Sequence, residues 1–80
     1  MTVDLKRIKA ERIAKGYTQD QVAAMMGWKD RAPYAKRENG IVSIGADELI
    51  RLASIFGIDK NNVGIFFKVT VPEKERIEGA

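Results

Sequence analysis

Residues 18–40, TQDQVAAMMGWKDRAPYAKRENG, decide how this chain folds. They read as two short helices joined by a tight turn. Thr18 is placed to accept from the backbone N–H of Gln21 while the Gln21 side chain reaches back to the Thr18 N–H, which makes a capping box. Tyr17 before the cap can meet Val22 as a hydrophobic staple, and Asp20 complements the positive end of the helix dipole. Val22, Ala23, Met25 and Met26 give an apolar stripe at helical spacing and are assigned to packing; Gly27 supplies the left-handed stop.

The second helix of the pair carries Asp30 as candidate cap and stops at Asn39-Gly40. Pro33 leaves two registers open. With Asp30 as cap it falls at the third helical position; with Ala32 as cap it takes the favoured first position, and Asp30-Arg31 join a longer turn. At about 100° per residue, Arg31, Ala32, Ala35 and Lys36 share an arc of roughly 140°, while Tyr34, Arg37 and Glu38 fall on the other side. One side offers a bulky anchor for packing. The other offers two cations flanking two alanines, a small, close-fitting surface that suits a DNA groove. Arginine or lysine can read guanine O6 and N7, and alanine methyls can meet a thymine methyl. Lys36 stays on the exposed face in both registers, whereas the aim of Arg31 depends on the register.

The combination of Thr18-Gln19, Ala23, Gly27 and Glu38-Asn39-Gly40 resembles the phage repressor and Cro (Xre-type) helix-turn-helix proteins, from about Leu5 to Phe67. It is a fairly specific combination, because a capped Gln start, a small residue, a glycine stop and a terminal ExG must all coincide. The resemblance implies an all-α, compact five-helix lambda-repressor-like domain over residues 1–67. In that fold the second helix of the motif lies in the major groove of double-stranded DNA and the first crosses the backbone. It implies that Arg12, four residues before Gly16, pairs with Glu38. It also brings the N–H groups around Asn39 and Gly40, with Ser43 beside them, toward the DNA backbone. Arg37 stands where the family usually has an apolar or aromatic residue and is expected to snorkel toward phosphate. Between Gly27 and Glu38 this chain holds one residue more than the commonest pattern, and the extra residue is assigned to the turn at Trp28-Lys29.

The candidate DNA contacts are therefore Gln19, Lys29, Arg31, Ala32, Ala35, Lys36, Arg37, Asn39 and Ser43. Gln19 opens its helix, where free N–H groups attract anions, so it either clamps a phosphate or simply fills a polar helix start. Trp28 either caps the core or lies beside the DNA backbone with Lys29.

Outward from the motif, Thr2 is expected to cap a helix of about Asp4 to Lys15, with Leu5, Ile8 and Ile13 apolar and Gly16 as its stop. Lys6 and Lys9 read as a solvated face. Ile41, Val42 and Ile44 are too apolar for a free linker and are expected to fold back on the core. A core helix follows from about Ala46 to Phe56, with Leu49, Ile50, Leu52, Ala53 and Phe56 as its stripe. Gly57 stops it, Asp59 caps a short fifth helix, and Val63, Ile65 and Phe66 close the bundle. Residues 66–71, FFKVTV, alternate like a strand with no partner inside a helical domain. They are expected to pair with a second subunit or another protein, or else to fray. Residues 68–80 form this strand-like segment and a tail polar enough for disorder from Glu73 to Ala80.

Composition agrees with one small module. Eighty residues bury only ~60% of the unfolded surface, so a homodimer would help the core. With no cysteine and no histidine, disulfides, thiolate chemistry, soft metal sites and the usual general base are all excluded. No apolar run approaches the roughly 20 residues of a membrane span, and the charged start does not read as a signal peptide. A cytoplasmic setting without cofactor or metal fits. Residues 1–44 carry +4 and residues 45–80 carry −1, making the net +3; the basic half holds the motif.

No nucleophile–base pair, phosphate-cradling loop or paired-carboxylate site can be assembled, so an enzyme is not expected. Two classes remain. One is a sequence-specific transcriptional regulator. The other is a protein-interaction module, an antirepressor or antitoxin-like partner that binds another regulator protein.

Overall fold

Asp4, not Thr2, starts the first helix. In the computed structural model, which describes residues 2–68, the Asp4 carboxylate accepts from the Arg7 N–H at 3.2 Å and α1 runs Leu5–Ala14. Then come α2, Gln19–Met25; α3, Ala32–Glu38; α4, Ala46–Ile55; and a 3-10 helix, Lys60–Phe66. The Thr18–Gln21 capping box forms with both bonds, at 3.1 and 2.8 Å. Asp59 caps the 3-10 helix by accepting from the Asn61 N–H at 2.8 Å.

All four α-helices stop in one way. The N–H of Gly16, Gly27, Gly40 or Gly57 bonds three residues back, and the N–H of the next residue bonds five back. This is the Schellman motif, whose residue after the glycine commonly makes an apolar contact with the last helical turn. Here those residues are Tyr17, Trp28, Ile41 and Ile58. Tyr17, Trp28 and Ile58 pack against the core. Ile41 does not: it is 73% exposed, so the expectation that it folds back fails. At Gly40 a side chain would be strained by the φ of +81°, and its Cβ would stand 3.2 Å from Leu5 Cδ1, which would have to give way.

The core joins Ile8 of α1, Val22 and Ala23 of α2, Tyr34 of α3, Leu49, Leu52 and Ala53 of α4, and Phe66, with Met26 and Phe56 from the helix ends. Phe56 and Phe66 meet edge to face with ring centroids 6.3 Å apart. Ile13, Met25 and Ile50, expected inside, are exposed, and Ile65 lies at the surface. Ile13 is about 140° around its helix from Ile8, and Met25 and Ile50 lie a little over 100° from the middle of their buried arcs. The stripes were read too wide.

The terminal strand does have a partner in its own chain. Phe67–Lys68 (β2) pairs antiparallel with Thr2–Val3 (β1), Thr2 opposite Lys68 and Val3 opposite Phe67, and the Asp4 N–H donates to the Phe66 carbonyl at 2.6 Å. Thr2 is therefore a strand residue, which is why it does not cap α1. The remainder of the strand-like segment and the tail, residues 69–80, lie outside the described residues.

One carboxylate locks the motif together. The Glu38 side chain is 2% exposed and accepts from Arg12 Nε at 2.9 Å and Nη2 at 3.2 Å, from Gln19 Nε2 at 3.1 Å and from the Tyr34 hydroxyl. Arg12 Nη1 also donates to the Tyr17 carbonyl at 2.8 Å. α1, the start of α2 and α3 are thus tied at one point. Burial is the largest influence on the Glu38 carboxyl and pushes its pKa up. The hydrogen bonds from Arg12, Tyr34 and Gln19 together outweigh it, and the pKa ends below the ordinary value. Burial and then the bond to Glu38 push the Tyr34 phenol up, so it stays protonated and donating.

Replacing Arg12 by Met strands a buried charge, and the expected loss is roughly 3 kcal/mol or more, measured by urea unfolding at pH 7. Acid should act in a defined direction. Because the folded Glu38 holds its proton less tightly than the unfolded one, its stabilisation is complete above the ordinary carboxylate pKa of about 4.3 and is lost as pH falls through the lowered value. Glu48, also lowered, by its hydrogen bond from Arg37, adds in the same sense. The urea midpoint should therefore drop between pH 5 and pH 3, and Glu38→Gln should shrink that drop.

Candidate nucleic-acid interface

The rotation of α3 about its own axis decides what it can touch. Tyr34 and Glu38 are buried, so the opposite side faces out. Neither expected register is the one adopted. Arg31 occupies the cap position with helical backbone and no side-chain cap, and Pro33 is the second helical residue. The reason is Asp30, whose Oδ1 accepts from the Ala32 N–H at 3.0 Å and so satisfies a helix-start donor from one residue before the cap. Pro33 brings no N–H to that first turn, where none is needed.

On the outward side, Asp20, Asp30, Arg31, Ala32, Ala35, Lys36, Asn39 and Ile41 line one shallow concavity of about 630 Å³. Five of the nine expected contacts are thus brought together: Arg31, Ala32, Ala35, Lys36 and Asn39. Arg31 and Lys36 are exposed, and among the described residues neither makes an ion pair or a side-chain hydrogen bond. Lys29 is exposed in the turn between α2 and α3, outside the concavity. Ser43 is exposed beside a separate, smaller groove that also includes Thr2, Val3 and Leu5.

Two expected contacts, both half-buried, have partners within the protein. The Gln19 amide is engaged by Glu38. Arg37 does not reach outward at all: its Nε donates to Glu48 Oε1 at 2.9 Å, its Nη1 donates to the Pro33 carbonyl at 2.8 Å, and its guanidinium lies 4.5 Å from the centre of the Trp28 ring. The same Glu48 oxygen accepts from the Gly45 N–H at 3.0 Å, so Arg37 joins α3 to the start of α4. A cation stacked on tryptophan and bonded to a carboxylate fills the place of the family's apolar residue, and Trp28 packs on the core beneath it. The expected snorkelling of Arg37 toward the outside is thus replaced by partners within the protein.

Asp20, Asp30 and Ile41 were not expected in this surface. The first two were read as helix-start residues, which they are as well. Ile41 had a usable signal: a Schellman residue leans on the last turn of its helix, and here that turn presents Ala35 and Lys36, both on the outward arc. The concavity holds two carboxylates against two cations, so it is mixed in charge rather than a basic patch. Among the described residues no cluster of acidic side chains is placed to hold a metal ion, and no helix is long and apolar enough to cross a membrane.

Arg37→Met removes the stack and the ion pair together. A loss of about 1 kcal/mol is expected, or roughly 4–8 °C in melting temperature for a domain of this size, read by circular dichroism.

A family model described as helix-turn-helix matches residues 8–61, more than half of the chain. No curated protein and no solved structure matches it. The match spans α1 to the start of the 3-10 helix and so takes in the Glu38 network, both helices of the motif and the outward face of α3. With that geometry and that match, the chain belongs to the Xre/Cro-like helix-turn-helix family of DNA-binding regulators.

Proposed function

We propose that this protein is a repressor or Cro-like transcriptional regulator of phage or prophage type, which reads the major groove sequence-specifically with the outward face of α3. One observation carries the reading: Arg31, Ala32, Ala35, Lys36 and Asn39 stand together on that face, with Tyr34 and Glu38 anchoring the opposite side. Lys36 and Arg31 are the cations free to read guanine, and the alanines leave room for the helix to approach base edges. Asn39 and Lys29 serve the phosphates alongside. Asp20 and Asp30 repel phosphate and can only accept, as from a cytosine amino group, so the concavity favours bases over backbone. Seven helical residues reach few base pairs, and a symmetric homodimer on a two-part operator in the cytoplasm would supply the rest, its half-sites about 34–36 Å apart.

The competing reading, an antirepressor or antitoxin-like interaction module, drew on the strand-like segment 66–71 and on the extra residue of the turn with Pro33 close behind it. Phe67–Lys68 is paired within the chain, and Pro33 sits in the first turn of α3.

Affinity for a duplex selected from random DNA should fall with salt by ~0.9 log units per log unit of salt for each phosphate contacted, and a flat response in a salt titration would refute the reading. Lys36→Ala should relax preference at one base pair by roughly 5- to 150-fold, the equivalent of about 1–3 kcal/mol. Charge reversal at both Arg31 and Lys36 should abolish retention on DNA at an unchanged melting temperature, whereas retention by a folded double variant would mean that another surface binds.

A further inference from the structure

We propose that Ile41 is a specificity-determining residue of the same surface, packing its side chain on the 5-methyl group of a thymine. The inference rests on the reading of the α3 face as the DNA-binding face. Among the described residues Ile41 is the most exposed of the large apolar ones, at 73%. It is nevertheless not loose. Its N–H donates to the Lys36 carbonyl at 2.8 Å, and the Val42 N–H donates to the same oxygen at 3.1 Å.

The comparison with its three counterparts is what sets it apart. Each α-helix ends in glycine followed by an apolar residue, and Tyr17, Trp28 and Ile58 bury that residue against the core. Only Ile41 is left facing solvent, and it stands on the rim of the concavity that holds Ala35, Lys36 and Asn39. A branched aliphatic side chain on a hydrogen-bonded backbone, lining the same concavity as Ala32, Ala35 and Lys36, offers no hydrogen bond. What it can recognise in a major groove is the one apolar group displayed there, the thymine methyl. The fixed backbone matters because only the side chain then remains to be ordered against so small a contact.

The test uses the full chain and the duplex it selects from a random pool at about 0.1 M salt, near the ionic strength where specific contacts are compared. Each thymine is replaced in turn by uracil, which removes the methyl and leaves every hydrogen-bonding group. The wild-type chain should lose about fourfold in affinity at one position, the value of one buried methyl-sized group. Ile41→Ala should bind the thymine duplex more weakly and show no thymine-over-uracil preference at that position, and Ile41→Val should retain most of it. Both variants should melt with the wild type, since the side chain supports nothing inside the protein. Two results overturn the proposal while leaving the regulator reading standing: an Ile41→Ala chain with wild-type affinity, or one weakened equally on thymine and uracil duplexes. A chain that selects no duplex at all refutes the regulator reading and this proposal with it.

Discussion

A buried carboxylate governs this structure. Glu38 comes from the last turn of α3 and accepts from Arg12 of α1, from Gln19 at the start of α2 and from Tyr34 of its own helix. Taking a carboxylate out of water costs several kcal/mol even after relaxation, so such a group is tolerable only when its partners are all in place. That requirement makes the network a constraint on geometry more than a source of stability. α3 can sit in one rotation only, because any other would leave Glu38 short of donors. The rotation that satisfies Glu38 is the one that turns Arg31, Ala32, Ala35 and Lys36 outward. The acid-sensitive element and the placement of the outward face are one feature.

The rest of the chain supports that arrangement by closing its ends. A domain of this size has few buried side chains to spend on each helix, and each of the four α-helices contributes one more apolar residue through the turn that ends it, except α3. The two chain ends meet in β1 and β2, with the Asp4 N–H bonded to the Phe66 carbonyl. Phe66 is thereby held against Phe56, and α1 is held to the 3-10 helix. Arg37 performs the analogous task between α3 and α4, with Trp28 beneath it.

The outward face combines features that pull in different directions. Two cations attract the backbone phosphates of a duplex, and two carboxylates resist them. On the proposed reading, such a surface would give up non-specific affinity, which is mostly electrostatic, and leave relatively more of the binding to base edges and apolar contacts. The basic excess of residues 1–44 is therefore not concentrated on the face of α3. Part of it is internal, in Arg12 and Arg37, and part lies on other exposed positions such as Lys6, Lys9 and Lys29.

What the sequence determined by itself is what local chemistry decides. The Thr18 capping box, the glycine stops and the split of α3 into a packed side with Tyr34 and Glu38 and an open side with Lys36 were legible because each depends on residues within a turn or two of one another, and the helix-turn-helix family was legible from the spacing of such local signals between Thr18 and Gly40. Tertiary structure decided what depends on a partner distant in sequence, the Arg12–Glu38 pair excepted, which the family resemblance implied. Arg37 reads as a surface cation until Glu48 and Trp28 are brought to it. The segment at Phe67 reads as an unpaired strand until Thr2–Val3 arrive from the other end of the chain. Ile41 reads as core until the glycine turn sets it on the outward side. The physical reason is common to the three: backbone preferences and periodicity fix where a side chain points relative to its own helix, whereas burial and pairing are fixed by which other elements come to stand beside it.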